Sequence, residues 1–446
     1  MKSHITILLL LFLTSVVGLS LTMADVPPAA AAVATTYTVT STSCIGPGSI
    51  TEAISLANAN SGEDTIELTP GLKIDATPCL PISKIQPENY VIAAVTDSLI
   101  IEGNGGVLAG NMSWINRSGH QSFALCPHGQ PHLLLLGAMP GFLRIGEAYQ
   151  DNPGLQVTIK DLRVQEFNQV AAVHQKASLV MEDVYMKDIF AWRYCNTPAI
   201  NAYADASVTL RRTTFEDYVS FNKFTIGSLS VSGAIRGGGG TGAGDLTIED
   251  SQFFSIDAGY PQNTIYWNGA LGSKVNIVST LFGRSGREDS SYFGKVGGIY
   301  ISGHAETNIV NSLWNNDIFG EVDAGDQIMN ASSADMNIIA STLIWNTDQC
   351  QAERLCSDPA TTPSLISRIG TGRIHFKESA IGLNFVSTPP SVSLLTLFDL
   401  GTNGFTSDAD TWIQPTQLQD AATLSAITGQ PSLRTDPPAF DIPYLD

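Results

Sequence analysis

Basic residues are scarce in this chain. Lys and Arg number 23 against 42 Asp and Glu, which leaves a formal net charge of −19. Nucleic-acid binding needs Lys and Arg to neutralise phosphates, so that class of partner is excluded. Direct docking on anionic membranes or acidic polysaccharides is disfavoured on the same ground, unless a divalent cation bridges the two. Charge of either sign is sparse, at 15% of residues, whereas apolar residues reach 43%, enough to bury a core and too many for bulk disorder. Long uninterrupted 3.6-residue periodicity is also missing, which disfavours a helical repeat. No C-x-x-C or Cys/His spacing suggests zinc. His120, Cys126, His128 and His132 lie close in sequence but match no metal-ligand template, and no metal site is assigned.

Long apolar runs are limited to one. Lys2 precedes an uncharged stretch from Ile5 to Met23, and small residues follow. This pattern is read as a secretory signal peptide over residues 1–24, with cleavage between 24 and 36. An uncleaved anchor is the alternative. No membrane span is expected after cleavage, and the expected location is secreted or cell surface. Export makes the cysteines informative. Cys44, Cys79, Cys126, Cys195, Cys350 and Cys356 permit three disulfides, and sequence alone leaves all fifteen pairings open. Cys350 and Cys356 flank a short polar segment, QAERL, and are best placed for a local staple; free buried thiols are the other reading.

The stretch from Cys44 to Leu68, CIGPGSITEAISLANANSGEDTIEL, organises the rest. Ser49 and Glu52 form a capping box at the start of a helix. Ile50, Ala53, Ile54 and Ala57 give that helix one narrow apolar face. Asn58, Asn60 and Gly62 end it, and Asp64 to Leu68 alternates as a strand. A short amphipathic helix feeding a strand suits the open end of a stack of strands, where a bare core would meet water.

From Leu155 a repeat becomes clear. It reads VTIKDLRV, LVMEDVYM, VTLRRTTF, LTIEDSQF, VNIVSTLF, TNIVNSLW, MNIIASTL and IHFKESAI. Its third position holds Ile159, Met181, Leu210, Ile248, Ile277, Ile309, Ile338 and Phe376, at intervals from 22 residues (Ile159 to Met181) to 38 (Leu210 to Ile248). Constant strands with variable loops between them predict a parallel β-helix. Coils pairing at about 4.8 Å would make ten of them a rod roughly 48 Å long. Val164, Met186, Phe215, Phe253, Phe282, Trp314, Leu343 and Ile381 share another position and are expected to stack inside as an apolar ladder.

GPGSITEAISLANANSGEDTI resembles the N-terminal motif of bacterial secreted right-handed β-helix proteins of the CSLREA and polymorphic outer-membrane protein type. Ser49 to Ala53 matches the S-L-R-E-A part; Gly48 stands where the cysteine would be, and Thr51 replaces the arginine. GGIYISGHAETNIVNSLWNND (297–317) is similar to the glycine-rich coils of the same family. The resemblance covers roughly residues 44 to 384 and implies a pectin-lyase-like fold. The expected architecture is all-β: a single right-handed parallel β-helix with short amphipathic helical caps at both ends. The cap helix and first strand are placed at 37–80, the coils at 81–400, and a C-terminal cap with a Pro-rich tail at 401–446. The closing helix is expected to open at Pro415 and to end at Gly429. Neither an LPxTG sorting signal nor a run of strands long enough for an autotransporter barrel is seen.

Four constellations could carry chemistry. The position after the first strand of each repeat holds Asp161, Asp183, Arg212, Asp250, Ser279, Asn311, Ala340 and Glu378. Stacked coils would bring Asp161 and Asp183 together, and neighbouring carboxylates can bind Ca²⁺ or divide into acid and base. The alternative is turn chemistry, because Asp, Asn and Ser bond to nearby backbone. Asn346-Thr347-Asp348 matches the first motif of polygalacturonases, which share this fold, and would make Asp348 one of the paired carboxylates of glycoside hydrolysis; the remaining motifs are absent or out of order. A lyase would need acidic Ca²⁺ ligands and a base, for which Arg211 and Arg212 beside Asp183 and Asp250 are the candidates. Finally, Tyr185, Trp192, Tyr266, Trp267 and Tyr300 lie in or near loops and form a candidate binding surface. Asn111, Asn116 and Asn330 head N-x-S sequons. Two functions follow: a non-enzymatic binding platform for a polysaccharide or a cell-surface protein, or a polysaccharide lyase or glycoside hydrolase. The only cofactor the acidic column admits is Ca²⁺.

Overall fold

The computed structural model describes residues 34–79, 91–110, 141–147, 150–167, 169–191, 198–220, 235–237, 242–258, 263–283, 298–317, 328–346, 364–384, 396–398, 404–414 and 420–429. The expected signal segment, the His120–His132 region, Asn111, Asn116, Trp192, Asp348, Cys350 and Cys356 lie outside them.

Three short strands make a coil. Gln169–Val173 belongs to a ten-stranded sheet; a turn leads to Ser178–Glu182, and Asp183 and Val184 alone separate that strand from Tyr185–Ala191. The second and third strands of successive coils form two rows of one 21-stranded sheet, and every pairing is parallel to the same position one coil on. This is the expected parallel β-helix. These strands are called the first, second and third rows below.

Helix α1 (Ile50–Ala59) covers the N-terminal end with Ile50, Ala53, Ile54 and Ala57 buried. The expected cap forms with its return bond shifted by one residue: Ser49 Oγ accepts from the Glu52 N–H at 3.2 Å, and Glu52 Oε2 accepts from the Gly48 N–H at 2.6 Å, while the Ser49 N–H donates to the Gly46 carbonyl. The helix leaves through Asn60 in an extended conformation (φ −101°), not through a left-handed glycine. The Asn60 amide holds that exit by donating to Asp64 Oδ1 at 2.9 Å and Thr35 Oγ1 at 3.1 Å. A disulfide joins Cys44 to Cys79, with Cα atoms 6.1 Å apart. Stacking begins ahead of α1, since Thr36–Val39 already pairs with Asp64–Leu68, and so starts before residue 81. It also passes residue 400, where Ile374–Lys377 pairs with Phe405–Ser407 and Ala380–Asn384 with Trp412–Ile413. Helix α2 (Ala421–Thr428) packs on Phe405–Ser407 at the other end. It starts later than expected, because Asp420 is its N-cap and accepts from the Thr423 N–H at 2.8 Å; Gly429 ends it at φ +70°. No described helix is long and apolar enough to cross a membrane.

The inner columns are those expected. Val164, Met186, Phe215, Phe253, Phe282, Trp314, Leu343 and Ile381 are buried and in register. The rings of Phe215, Phe253, Phe282 and Trp314 follow one another at centroid separations of 4.8, 5.0 and 4.6 Å, close to the coil pitch. In eight successive coils the second-row strand turns into the third through one left-handed residue. Asp161, Asp183, Arg212, Asp250, Ser279, Asn311, Ala340 and Glu378 all have φ between 45° and 56°. The residue after it is a buried hydroxyl in six successive coils: Thr213, Ser251, Thr280, Ser312, Ser341 and Ser379. Ser341 Oγ accepts from the Ser312 N–H at 3.2 Å and donates to the Ile339 carbonyl at 2.8 Å, and Ser312 and Ser379 repeat the pattern one coil away on each side. A backbone donor at the turn is satisfied this way at Thr213, Thr280, Ser312, Ser341 and Ser379.

Two stability outcomes follow. Ala340 gains nothing from its side chain at φ +47°, so Ala340→Gly should raise stability by about 0.5–1 kcal/mol after glycine's extra unfolded-state entropy is counted. The urea midpoint at unchanged slope measures this, and a lower midpoint would contradict the turn argument. Ser341→Ala strands a buried N–H in the coil below and should cost about 1–3 kcal/mol; a loss under ~0.5 kcal/mol would mean that the hydroxyl ladder is incidental.

Candidate binding surface

The carboxylate column is built by the turns. Asp161, Asp183 and Asp250 hold the left-handed position that Arg212, Ser279, Ala340 and Glu378 hold in other coils, so no carboxylate is needed there. Asp183 is engaged by the next coil: Arg212 Nε donates to Oδ1 at 2.8 Å and Nη2 to Oδ2 at 2.9 Å. On the second row, Arg211 bridges Glu182 (3.1 Å) and Glu249 (2.9 Å), and Lys160 pairs with Glu102 at 2.9 Å. The two arginines therefore neutralise neighbouring acids. The described residues contain no group of three or more His, Cys, Asp and Glu placed to hold a metal ion.

The aromatic candidates separate. Trp267 points inward, fully buried, and its Nε1–H donates to the Gly244 carbonyl at 3.1 Å, so it cannot meet a ligand. The strand Asn263–Gly269 alternates, and Ile265 and Trp267 share the core side. Tyr185 is outward and half-buried, with Arg163 4.8 Å over its ring and its hydroxyl on Glu216. Burial and then that carboxylate raise its pKa. Tyr266 and Tyr300 are neighbours on the outside of the first row, half-buried and stacked at 5.0 Å. Stacking along the axis occupies one ring face of each, so the pair offers edges and phenolic hydroxyls outward. Burial, then Tyr266, pushes the Tyr300 hydroxyl up. The adjoining outward position holds Asn268 and Ser302, linked at 3.3 Å.

Other polar groups were not legible beforehand. His375 sits between Asp335 (Nε2 to Oδ2, 3.2 Å) and Thr406 (Nδ1 to Oγ1, 2.6 Å) on the second row. Three stacked amides on the same row follow a similar logic, with Asn308 donating to Asn276 at 3.1 Å and Asn337 to Asn308 at 3.0 Å. His304 is an exposed turn residue bonded to Ser333 at 2.7 Å. Asn330 is 1% exposed, and its amide holds the turn by donating to Ala334 and accepting from the Ser332 N–H, so its sequon is closed in the fold. His174, 1% exposed, stacks flat on Tyr203 at 4.6 Å with Nε2 unpaired. Burial and then Arg144 push its imidazole down to about 4.

No family model matches the chain, and no curated protein matches it.

The titrations give acid sensitivity in two stages. The folded chain resists protonating His174, while the unfolded chain protonates it near pH 6.5. Stability contributed by the neutral imidazole is therefore lost as pH falls from about 6.5 towards 4. Asp183 is held low by the Arg212 guanidinium, Glu216 by Lys187 and then Tyr185, and Asp335 by the Arg373 N–H and then His375. A depressed carboxylate stabilises the fold above its unfolded pKa of about 4 and loses that contribution as pH falls through the lower folded value. Melting temperatures from pH 7.5 to 2.5 should show both declines, and His174→Phe should flatten the one between about pH 6.5 and 4 alone. An unchanged profile in that variant would mean that His174 does not govern it.

Proposed function

We propose that this is an exported β-helix protein that works as a non-enzymatic binding platform, secreted or at the cell surface, for a glycan or a protein. The observation that carries the reading is the placement of the candidate groups. The described carboxylates of the column occupy left-handed turns, and Asp183 is held by Arg212, while Tyr266 and Tyr300 face outward beside Asn268 and Ser302. A stack of parallel coils presents such rows along its length without any catalytic requirement. The resemblance to secreted β-helix proteins, with the signal-like N-terminus, supports export. A lyase or hydrolase would need carboxylates converging within about 5 to 10 Å of one bond, and a column in which Arg212 engages Asp183 and Ser279, Asn311 and Ala340 replace the acid is poorly suited to that.

The test uses the mature chain with neutral and acidic polysaccharides and with a panel of cell-surface proteins, in Ca²⁺ and in chelator. Retention without new reducing ends or unsaturated uronides is expected, with Tyr266→Ala/Tyr300→Ala weakening retention at least tenfold. Cleavage of any polysaccharide would replace the platform with the enzyme reading, and a Ca²⁺ requirement would make it a lyase.

A further inference from the structure

The outer side of the third row changes character along the axis. Lys187 and Glu216 form an ion pair at 2.5 Å, and the next residue in that column is Phe254. From there on the charge stops. Phe254 leans over Gly283 of the following coil, where a Cβ would lie 2.5 Å from its ring. Several coils further, the Trp412 ring lies over Gly382 in the same manner, and a Cβ there would meet it at 2.8 Å. Between the two rings Leu281 and Leu313 stand opposite one another, partly exposed, followed by Thr342. Both glycines are places where a side chain would displace the ring that covers them, so ring and glycine form one unit. Five coil steps separate Phe254 from the end of the strip, or roughly 24 Å at about 4.8 Å per step.

We propose that this strip is a second binding site, for a neutral, extended polysaccharide chain lying along the axis of the stack. Its size argues against a folded partner. Two outward columns about 7 Å apart over that length offer on the order of 250 Å², against about 800 Å² per side for a stable protein interface. An extended peptide gains its affinity from main-chain bonds at a sheet edge, and a sheet face supplies none. Charge selects among polysaccharides: the strip is uncharged within a molecule of net charge −19, which repels uronate chains and leaves neutral ones unopposed. A pyranose chain has apolar C–H faces for Phe254, Trp412 and the leucines, and hydroxyls for Thr342 and the amide of Asn315. The strip lies on a different row from Tyr266 and Tyr300, so either surface can fail without the other.

The mature chain would be sedimented with insoluble cellulose, chitin and β-1,3-glucan, with polygalacturonate as the acidic counterpart. Soluble oligomers of the retained polymer would be titrated against Trp fluorescence. The expected result is retention on at least one neutral polymer, with Leu313→Lys and Phe254→Ala each weakening it at least tenfold. Leu313→Lys places its charge outward, and an unchanged melting temperature shows that it folds. Ile45→Ala, exposed at the N-terminal end of the stack and outside both surfaces, should leave this retention intact. The proposal is overturned by no retention on any neutral polymer, by retention confined to polygalacturonate, or by full retention in folded Leu313→Lys. A dimer on a sizing column that Leu313→Lys dissociates would also overturn it, because the strip would then belong to a second copy.

Discussion

One backbone conformation governs this molecule. In the eight successive coils from Asp161 to Glu378 a single left-handed residue turns the chain between the second and third strands, and it does so at the same height every time. Parallel pairing then has no freedom of register, because a slip of one residue would turn every inward side chain outward. The site tolerates Ala, Arg and Glu at an unfavourable φ, which shows that the surrounding ladders outweigh the local cost of roughly 1–2 kcal/mol.

With register fixed, like residues sit on like residues, and each column solves its own physical problem. Aromatic rings inside stack near the spacing of the coils. Hydroxyls beside the turn satisfy the amide that the turn leaves over. Outside, like stacking on like would place equal charges about 4.8 Å apart. Beyond the Glu67–Glu102 neighbours at its start, the second row avoids this by alternating sign through Glu102, Lys160, Glu182, Arg211 and Glu249 where it is charged, and by using amides at Asn276, Asn308 and Asn337 where it is not.

Strand positions were legible in the sequence because the repeat itself marks inside and outside. The inner columns, the cap helix and the left-handed column could all be read from aligned residues. The hydroxyl ladder was legible too: a Ser or Thr follows the turn residue in six aligned repeats, though attention to the acids beside it hides the pattern. Side chains outside the aligned motif were not legible. Trp267 looked like a loop aromatic because its strand belongs to the first row, whose alternation begins only after a variable loop. The pairing of Cys44 with Cys79 depends on a turn closing over the cap, which no spacing rule encodes. The start of α2 was misplaced because Pro415 is a conventional opening signal, whereas the Asp420 cap bonds are local and decisive.

The disulfide gives the stack a direction. Coils in a solenoid contact only their neighbours, so unfolding proceeds most easily from an end. At the N-terminal end Cys44 and Cys79 bind the entry turn to the close of the first coils, beneath a helix with four buried side chains. At the other end, among the described residues, the eight of α2 cover the last strands, with Leu424 and Thr428 buried. One end is riveted and the other merely lidded, so the molecule should come apart as a zip does, from the C-terminal coils inward.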